Sequence, residues 1–169
     1  YDGAFDAGIK AVLVSPTSNW PTGGILVVAD SSDDETFPGV ACNPDDLSCL
    51  VVYNAEIGTD RRIHGRHLWL TASGISGSSP ASFKISTLGN EHNPSVAHSP
   101  DAGNYLVAYT WPATGTDERF PVYSLVHDIH QLTGKQYYYD TTYAITPDDE
   151  YFSNGDQPGN DKFASAVAY

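Results

Sequence analysis

Histidines in two places have the spacing of a metal site. They form two pairs three residues apart, His64 with His67 and His127 with His130. A helix would bring such a pair together for zinc, but residues three apart on a strand face opposite sides. The surrounding segments, 63–71 and 122–132, alternate apolar and polar residues and predict strands. We therefore expect these histidines to pair with neighbours on the strand faces rather than to bind zinc.

Carboxylates suited to acid–base catalysis occur in the predicted loops between strands. They are Glu56, Asp60, Glu91, Asp117 and Glu118. Two such groups on either side of a sugar bond would form a glycosidase site, and His98, His127 and Tyr105 could serve a lyase. The spacing selects no pair, and the chain has no Gly-x-Ser-x-Gly motif. The sequence therefore leaves enzymatic activity uncertain and favours a non-catalytic protein.

An acidic segment after residue 147 is the best candidate for calcium binding. Its carboxylates are Asp148, Asp149, Glu150, Asp156 and Asp161. Hard oxygen ligands on a loop suit Ca²⁺, although the spacing is not that of an EF-hand. A second acidic segment occupies 30–35. Solvated acidic loops are the alternative interpretation of both segments.

Aromatic residues near predicted turns are the candidates for carbohydrate binding. Trp111 precedes Pro112 where a long loop is expected, and Tyr137 and Tyr139 belong to a run of three tyrosines. Aromatic rings on loops can stack on sugars. The alternative is that these rings pack between sheets, since consecutive strand residues face opposite sides.

Composition excludes two classes of protein. The 169 residues carry a net charge of −13, with 21 acidic and 8 basic residues, and the pI is about 4.4. Such a surface repels phosphate backbones, so no nucleic-acid partner is expected. No run of 18 apolar residues occurs, and no membrane-spanning helix is expected.

A repeat organises most of the chain. The segment Pro38–Tyr53 returns without gaps as Pro94–Tyr109, with eight of sixteen positions identical, and Ala166–Tyr169 resembles the start of a third copy. Each copy predicts a hairpin of a first strand (Pro-x-Val-Ala), a Pro-Asp turn and a second strand (Leu-Val-x-Tyr). A longer alternating third strand and a short fourth strand follow, the latter at Phe83–Ser86 in one copy and at Tyr143–Thr146 in the other. The unit therefore has four strands.

This unit predicts an all-β fold of β-propeller-like, four-stranded antiparallel blades, incomplete at both ends. A β-sandwich or a solenoid is the alternative. The expected divisions are a partial blade at 1–37 with the third and fourth strands, blades at 38–93 and 94–162, and the start of another blade at 163–169. The second full blade carries the acidic insertion near 147–162. A longer parent chain or neighbouring subunits would supply the missing strands.

The repeat resembles a family of secreted bacterial and archaeal proteins with Pro-x-Val-Ala-Tyr and Tyr-Leu-Val-Val-Trp motifs, which look like β-propellers. The resemblance covers about residues 25–169 and implies the fold and an extracellular setting. Cys42 and Cys49 stand where family members often carry aromatics. The other copy has His98 and Tyr105 at these two positions, which supports a cross-strand disulfide and an oxidising compartment.

The resemblance implies no single activity, because propellers carry out many functions. We expect a non-catalytic extracellular module for binding, adhesion or assembly. Its partner would be an extracellular glycan, a protein surface or further blades. The alternatives are a portion of a polysaccharide lyase or glycosidase, and a structural subunit of a surface filament or layer.

Overall fold

The computed structural model describes residues 8–15, 17, 20–32, 34–78, 82–86, 89–100, 103–112, 119–127 and 139–144. These residues contain eleven β-strands and no helix. The strands are β1 (Ile9–Val14), β2 (Pro21–Ala29), β3 (Glu35–Asn43), β4 (Ser48–Ile57), β5 (Asp60–Thr71), β6 (Gly74–Ser78), β7 (Phe83–Lys84), β8 (His92–Ser99), β9 (Asn104–Pro112), β10 (Arg119–His127) and β11 (Tyr139–Ala144).

The strands form three antiparallel sheets, which confirms the all-β prediction. The first sheet is the hairpin β1–β2, the second has the order β3-β4-β5-β6 with β7 also paired to β5, and the third has the order β8-β9-β10-β11. In the second and third sheets, neighbours in sequence are neighbours in space, as the predicted four-strand unit requires. The described residues do not form a closed ring of sheets.

The two repeat copies share one pairing register. Cys42 lies opposite Cys49, and His98 lies opposite Tyr105 at the equivalent positions. The short Pro-Asp turn between the first two strands sets this register in both copies. The sequence repeat is therefore also a structural repeat.

The fourth strand of the second sheet differs from the prediction. Gly74–Ser78 forms β6, which pairs with the end of β5, in a segment where no strand was predicted. Gly74 has a φ of 137° and closes the turn after Thr71, so the chain reverses there. The predicted strand at Phe83–Ser86 is reduced to β7, which pairs with β5 at His64 and Gly65.

Two other strands, β3 and β9, extend further than predicted. The first strand of the repeat, predicted at the Pro-x-Val-Ala segment, extends from Glu35 to Asn43 and includes a bulge between Thr36 and Gly39. Trp111 and Pro112 were predicted to open a loop, but they continue β9 and pair with β10. The strands are longer than predicted because each added cross-strand pair provides hydrogen bonds for further backbone N–H and C=O groups.

The second sheet lies between the other two, and its strand β4 is buried on both faces. Leu50 and Val52 pack against the third sheet, while Val51 and Tyr53 pack against the first. A strand covered on both sides needs a continuous apolar run rather than an alternating one, and the run from Cys49 to Tyr53 supplies it. The core therefore consists of two layers, one on each face of the second sheet.

The two layers are built differently. On one face, β8 packs mainly on β3 and β4. On the other face, β1 contacts both β3 and β6, which lie at opposite edges of the second sheet. A six-residue strand can reach both edges only by crossing the sheet. The first sheet therefore crosses the second.

Candidate functional site

The predicted disulfide is present between Cys42 and Cys49. The Cα atoms of the two directly opposed residues are 3.9 Å apart. Cys42 is exposed on β3, whereas Cys49 is buried in the layer facing the first sheet. At the equivalent pair of the third sheet, the rings of His98 and Tyr105 lie 4.8 Å apart. The same position is thus joined covalently in one sheet and by ring contact in the other.

A cluster of imidazole and phenol rings lies between the second and third sheets. His67 stacks on Phe83 at 5.7 Å and meets the edge of Tyr105 at 5.6 Å between ring centroids. The hydroxyl of Tyr105 shares a 3.3 Å hydrogen bond with Ser48. The structure therefore brings together two of the three residues considered for a lyase, His98 and Tyr105, and adds His67.

This cluster is suited to packing more than to chemistry on a large substrate. His67 and Tyr105 are both fully buried, and the Tyr105 hydroxyl points to Ser48 of the neighbouring sheet. A polysaccharide could not reach these groups without separating the sheets. His127, the third residue considered, is the last residue of β10.

His64 and His67 lie on opposite faces of the second sheet, as strand geometry predicts. His67 lies opposite Leu50 and belongs to the layer against the third sheet, whereas His64 lies opposite Tyr53 on the other face. The pair therefore does not converge. His130 lies outside the described residues.

Two titratable groups on the face toward the first sheet have shifted pKa values. Burial lowers the pKa of His64, and the positive charges of Lys84 and Arg62 lower it further. Burial raises the pKa of the Tyr53 hydroxyl, against a smaller opposing effect of its hydrogen bond with Ser82. Both shifts favour the neutral form, as expected for polar groups within a packed layer.

Three of the five carboxylates considered for acid–base catalysis lie around the β4–β5 turn, and each has a partner. Glu56 accepts a hydrogen bond from Nε of Arg61 at 3.0 Å, and Asp60 pairs with Arg62. Glu91 is buried and accepts from the backbone N–H of Gly89 at 2.7 Å. These contacts fix the turn and the connection to the third sheet. Asp117 and Glu118 lie outside the described residues.

Sequence reasoning missed a clamp between the two sheets. The buried side chain of Asn54 donates to the Glu91 carbonyl at 2.6 Å and accepts from the Asn93 N–H at 3.2 Å. Thr110, at the position of the repeat equivalent to Asn54, donates to the His92 carbonyl at 3.2 Å. The backbone of residues 91–93, where the chain passes from the second sheet to the third, is thus held by a side chain of each sheet. A polar residue at the end of an apolar strand in both copies was the available signal.

The predicted calcium ligands Asp148, Asp149, Glu150, Asp156 and Asp161 lie outside the described residues, and calcium binding stays a prediction. In the other acidic segment, Glu35 is buried and accepts hydrogen bonds from the N–H and hydroxyl of Ser31. No group of three His, Cys, Asp or Glu residues that could hold a metal occurs within the described ranges.

The candidate carbohydrate-binding aromatics occupy different places. Trp111 is half-buried in β9 and packs against the layer between the second and third sheets. Tyr139 is the first residue of β11. Tyr137 lies outside the described residues, and carbohydrate binding by these aromatics stays a prediction.

Among the described residues, the most exposed apolar surface lies on the first sheet. We call it the outer face, and it consists of Val12, Val14, Ile25 and Val27, with Trp20 in the adjoining turn. Ile25 is 70% exposed. The opposite face of the same hairpin carries Ile9 and Val28, which are buried against the second sheet. A hairpin with aliphatic residues on both faces is expected where both faces are covered.

Searches among known proteins add no relative. No helix long and apolar enough to cross a membrane occurs in the described part of the chain. No protein-family model, no curated protein and no solved structure matches the sequence or the fold.

Proposed function

We propose that this chain is an extracellular, non-catalytic module for binding, adhesion or assembly, built from β-propeller-like blades. The observation that carries the proposal is the outer face of the first sheet. Strand β4 of the second sheet is buried on both faces, whereas the first sheet exposes aliphatic side chains on one. Exposed apolar surface of this kind is typical of a contact surface.

The blade arrangement is supported by the repeat and its stacking. Two sheets with the same strand order and register follow one another in the chain and pack face to face. The first strands of both, β3 and β8, lie closest together, as they do around the axis of a propeller. A sandwich or solenoid is the alternative, and scattering in solution distinguishes a ring from an open stack.

The extracellular setting is supported by the disulfide. Bonds such as Cys42–Cys49 persist in oxidising compartments and are rare in reducing ones. The net charge of −13 is also suited to solubility outside the cell. Free-thiol titration of the protein recovered from its natural compartment tests this part, and two free thiols per chain would contradict it.

The non-catalytic part is supported by the partners of the candidate catalytic groups. Glu56, Asp60 and Glu91 are held by arginines or backbone N–H groups, and Tyr105 is buried between sheets. These contacts give each group a structural role. None of the three carboxylates is left facing solvent without a partner.

The test is incubation of the purified chain with a panel of neutral and acidic polysaccharides. Reducing ends report hydrolysis, and ultraviolet absorbance of unsaturated products reports lyase activity. We expect neither. Turnover that is lost in His98→Ala or Glu56→Gln, with folding intact, would replace this proposal with the carbohydrate-active alternative.

A further inference from the structure

The disulfide between Cys42 and Cys49 presents its two sulfurs unequally. Cys42 is exposed near the end of β3, which is an edge strand of the second sheet in the described part of the chain. Cys49 is 3% exposed and lies in the apolar layer that faces the first sheet. Access helps to determine which sulfur of a disulfide a thiolate attacks. A thiolate from solution therefore reaches Cys42 and not Cys49.

The pairing of β3 with β4 does not depend on this bond. The third sheet has the same register without a disulfide, and His98 and Tyr105 are in ring contact there. The β3–β4 turn also has its own support, because the backbone N–H of Asp45 donates to Oδ1 of Asn43 at 3.0 Å. Opening the disulfide would therefore leave the two strands paired and the two cysteines opposite one another.

We propose that Cys42 is a site of thiol–disulfide exchange, through which a thiol-bearing partner becomes covalently attached to this chain. The inference rests on the proposed binding function and names the chemistry of a partner. The partner's thiolate attacks Sγ of Cys42 and forms a new S–S bond, while the bond to Cys49 breaks. The electron pair goes to Sγ of Cys49, and the proton that the partner thiol gave up returns to it through water. One disulfide replaces another, so the step needs no oxidant or reductant.

The product of this exchange fits both positions. Cys49 becomes a thiol within the layer that contains Val51 and Leu68, where a free cysteine packs as a small apolar residue. The attached group lies on the side of Cys42, where Val40 on the same face of β3 is 62% exposed. Cys49 stays opposite Cys42 and can attack it again, which releases the partner. The attachment is therefore reversible.

Negative charge beside the disulfide selects among thiols. The β3–β4 turn carries Asp45 and Asp46, and the whole chain has a net charge of −13. A negative potential attracts a cationic thiol and repels an anionic one, and salt screens both effects. We therefore expect the preferred partner to be a thiol beside positive charge, on a small molecule or on a basic protein surface.

The first experiment locates the attacked sulfur. The folded full chain is incubated with cysteamine, quenched with acid and mapped by tandem mass spectrometry. We expect adducts on Cys42 in at least about tenfold excess over Cys49, because burial shields the second sulfur. The chain unfolded in urea is the control, and it should carry comparable adducts on both residues. The rate in the folded chain should rise in proportion to the cysteamine concentration.

Asp45→Asn tests the preference for positive charge. The variant keeps the N–H that supports the turn, and it should react about twofold more slowly with cysteamine and about twofold faster with mercaptoacetate at low salt. Glu56→Gln, which removes the same charge at the far end of β4, is the matched control and should change neither rate. A cysteine peptide flanked by lysines distinguishes the two sources of thiol. Attachment of the peptide faster than that of cysteamine assigns the site to a protein partner, and the reverse order assigns it to a small thiol.

Three outcomes overturn the inference. They are adducts mainly on Cys49, a folded chain that reacts only at its rate of global unfolding whatever the cysteamine concentration, and a preference for mercaptoacetate that Asp45→Asn leaves unchanged. The first two are measured on the wild type and do not depend on the folding of a variant. Each of these results leaves the proposed function standing, because the polysaccharide panel tests that function separately.

Discussion

The two faces of the second sheet are covered to different extents. Toward the third sheet, strands β3, β4 and β5 all lie against β8. Toward the first sheet, the crossing hairpin buries Val51 of β4 but leaves Val40, directly opposite on β3, 62% exposed. In the third sheet, the equivalent Val96 packs against the core and lies near Gly39. The five-stranded second sheet thus covers the edge strand β8, whereas the two-stranded first sheet leaves the equivalent part of β3 exposed.

This difference teaches that the repeat alone does not determine burial. Val40 and Val96 occupy the same repeat position and the same pairing register, yet Val96 packs against the core and Val40 is exposed. What differs is the number of strands in the sheet that precedes each. The free energy that a given apolar residue contributes therefore depends on its neighbour in the stack.

The largest effect is expected from truncating a side chain in the apolar layer between the second and third sheets. Leu50→Ala removes a fully buried side chain between the second and third sheets, so the free energy of unfolding should fall by about 3 kcal/mol. Leu47→Ala, in the turn three residues earlier and 51% exposed, is the matched control and should change it by less than about 0.5 kcal/mol. Urea unfolding measures both, and equal losses would show that the layer is not closed in solution.

Removing the disulfide tests the exposed edge strand β3, on the face of the second sheet that the first sheet covers only in part. The bond closes a loop with a sequence separation of 7, so removing it should lower the free energy of unfolding by about 2 kcal/mol. The suitable variant is Cys42→Ser with Cys49→Ala, because Cys49 is buried and Cys42 is exposed. Hydrogen exchange should accelerate most in β3.

Reduction of the wild type provides the control for that variant. A reductant should destabilise the wild type by a similar amount and leave the double variant unchanged. A wild type whose unfolding is insensitive to reductant, with the bond shown by thiol titration to be broken, would contradict a stabilising role.

A matched pair of valines compares a covered and an uncovered strand on one face, since Val40 and Val51 lie directly opposite each other on the face toward the first sheet. Val51→Ala should cost about 1.5 kcal/mol, since two buried methyl groups are lost at about 0.8 kcal/mol each. Val40→Ala, on the exposed partner strand, should cost less than about 0.5 kcal/mol. Thermal unfolding at one pH compares them. If Val40→Ala proved as costly, a strand outside the described ranges must cover β3.

The smallest effect is expected from His64, on the face toward the first sheet. Its pKa is lowered in the folded chain, so the unfolded chain takes up the proton first as the pH falls. Its contribution to stability is therefore complete above about pH 6.5 and is lost as the pH falls below that value. His64→Asn should flatten the fall in stability between pH 7 and pH 5.

Lys84→Gln sharpens the same test, because it removes one of the two positive charges that lower the pKa of His64. We expect the stability of Lys84→Gln to fall between pH 7 and pH 5 with a slope between those of the wild type and of His64→Asn. A His64→Asn variant with the full wild-type slope would show that other groups account for it.

Much of the strand order was predictable from sequence, because local signals determine it. The Pro-Asp turn and the apolar runs gave the paired strands β3–β4 and β8–β9, and the equivalence with His98 and Tyr105 gave the disulfide. The split fourth strand was missed, since β6 contains two glycines and two serines around a single apolar residue, Ile75. Its strand character comes from packing and pairing rather than from propensity.

The candidate site was less predictable because it depends on contacts between sheets. No spacing in the sequence places His67 beside Tyr105, since the contact joins residues on β5 and β9. The clamp of Asn54 likewise depends on where the connection 89–93 returns to the sheet.

The clamp also determines how the chain would carry a mechanical load. Asn54 and Thr110 hold the backbone of residues 91–93 from two different sheets. A force that pulls the third sheet away from the second would load the hydrogen bonds of Asn54 together with the packed layer behind them, rather than the connection alone. Residues 91–93 would then transmit tension to both sheets at once and would not act as a free hinge.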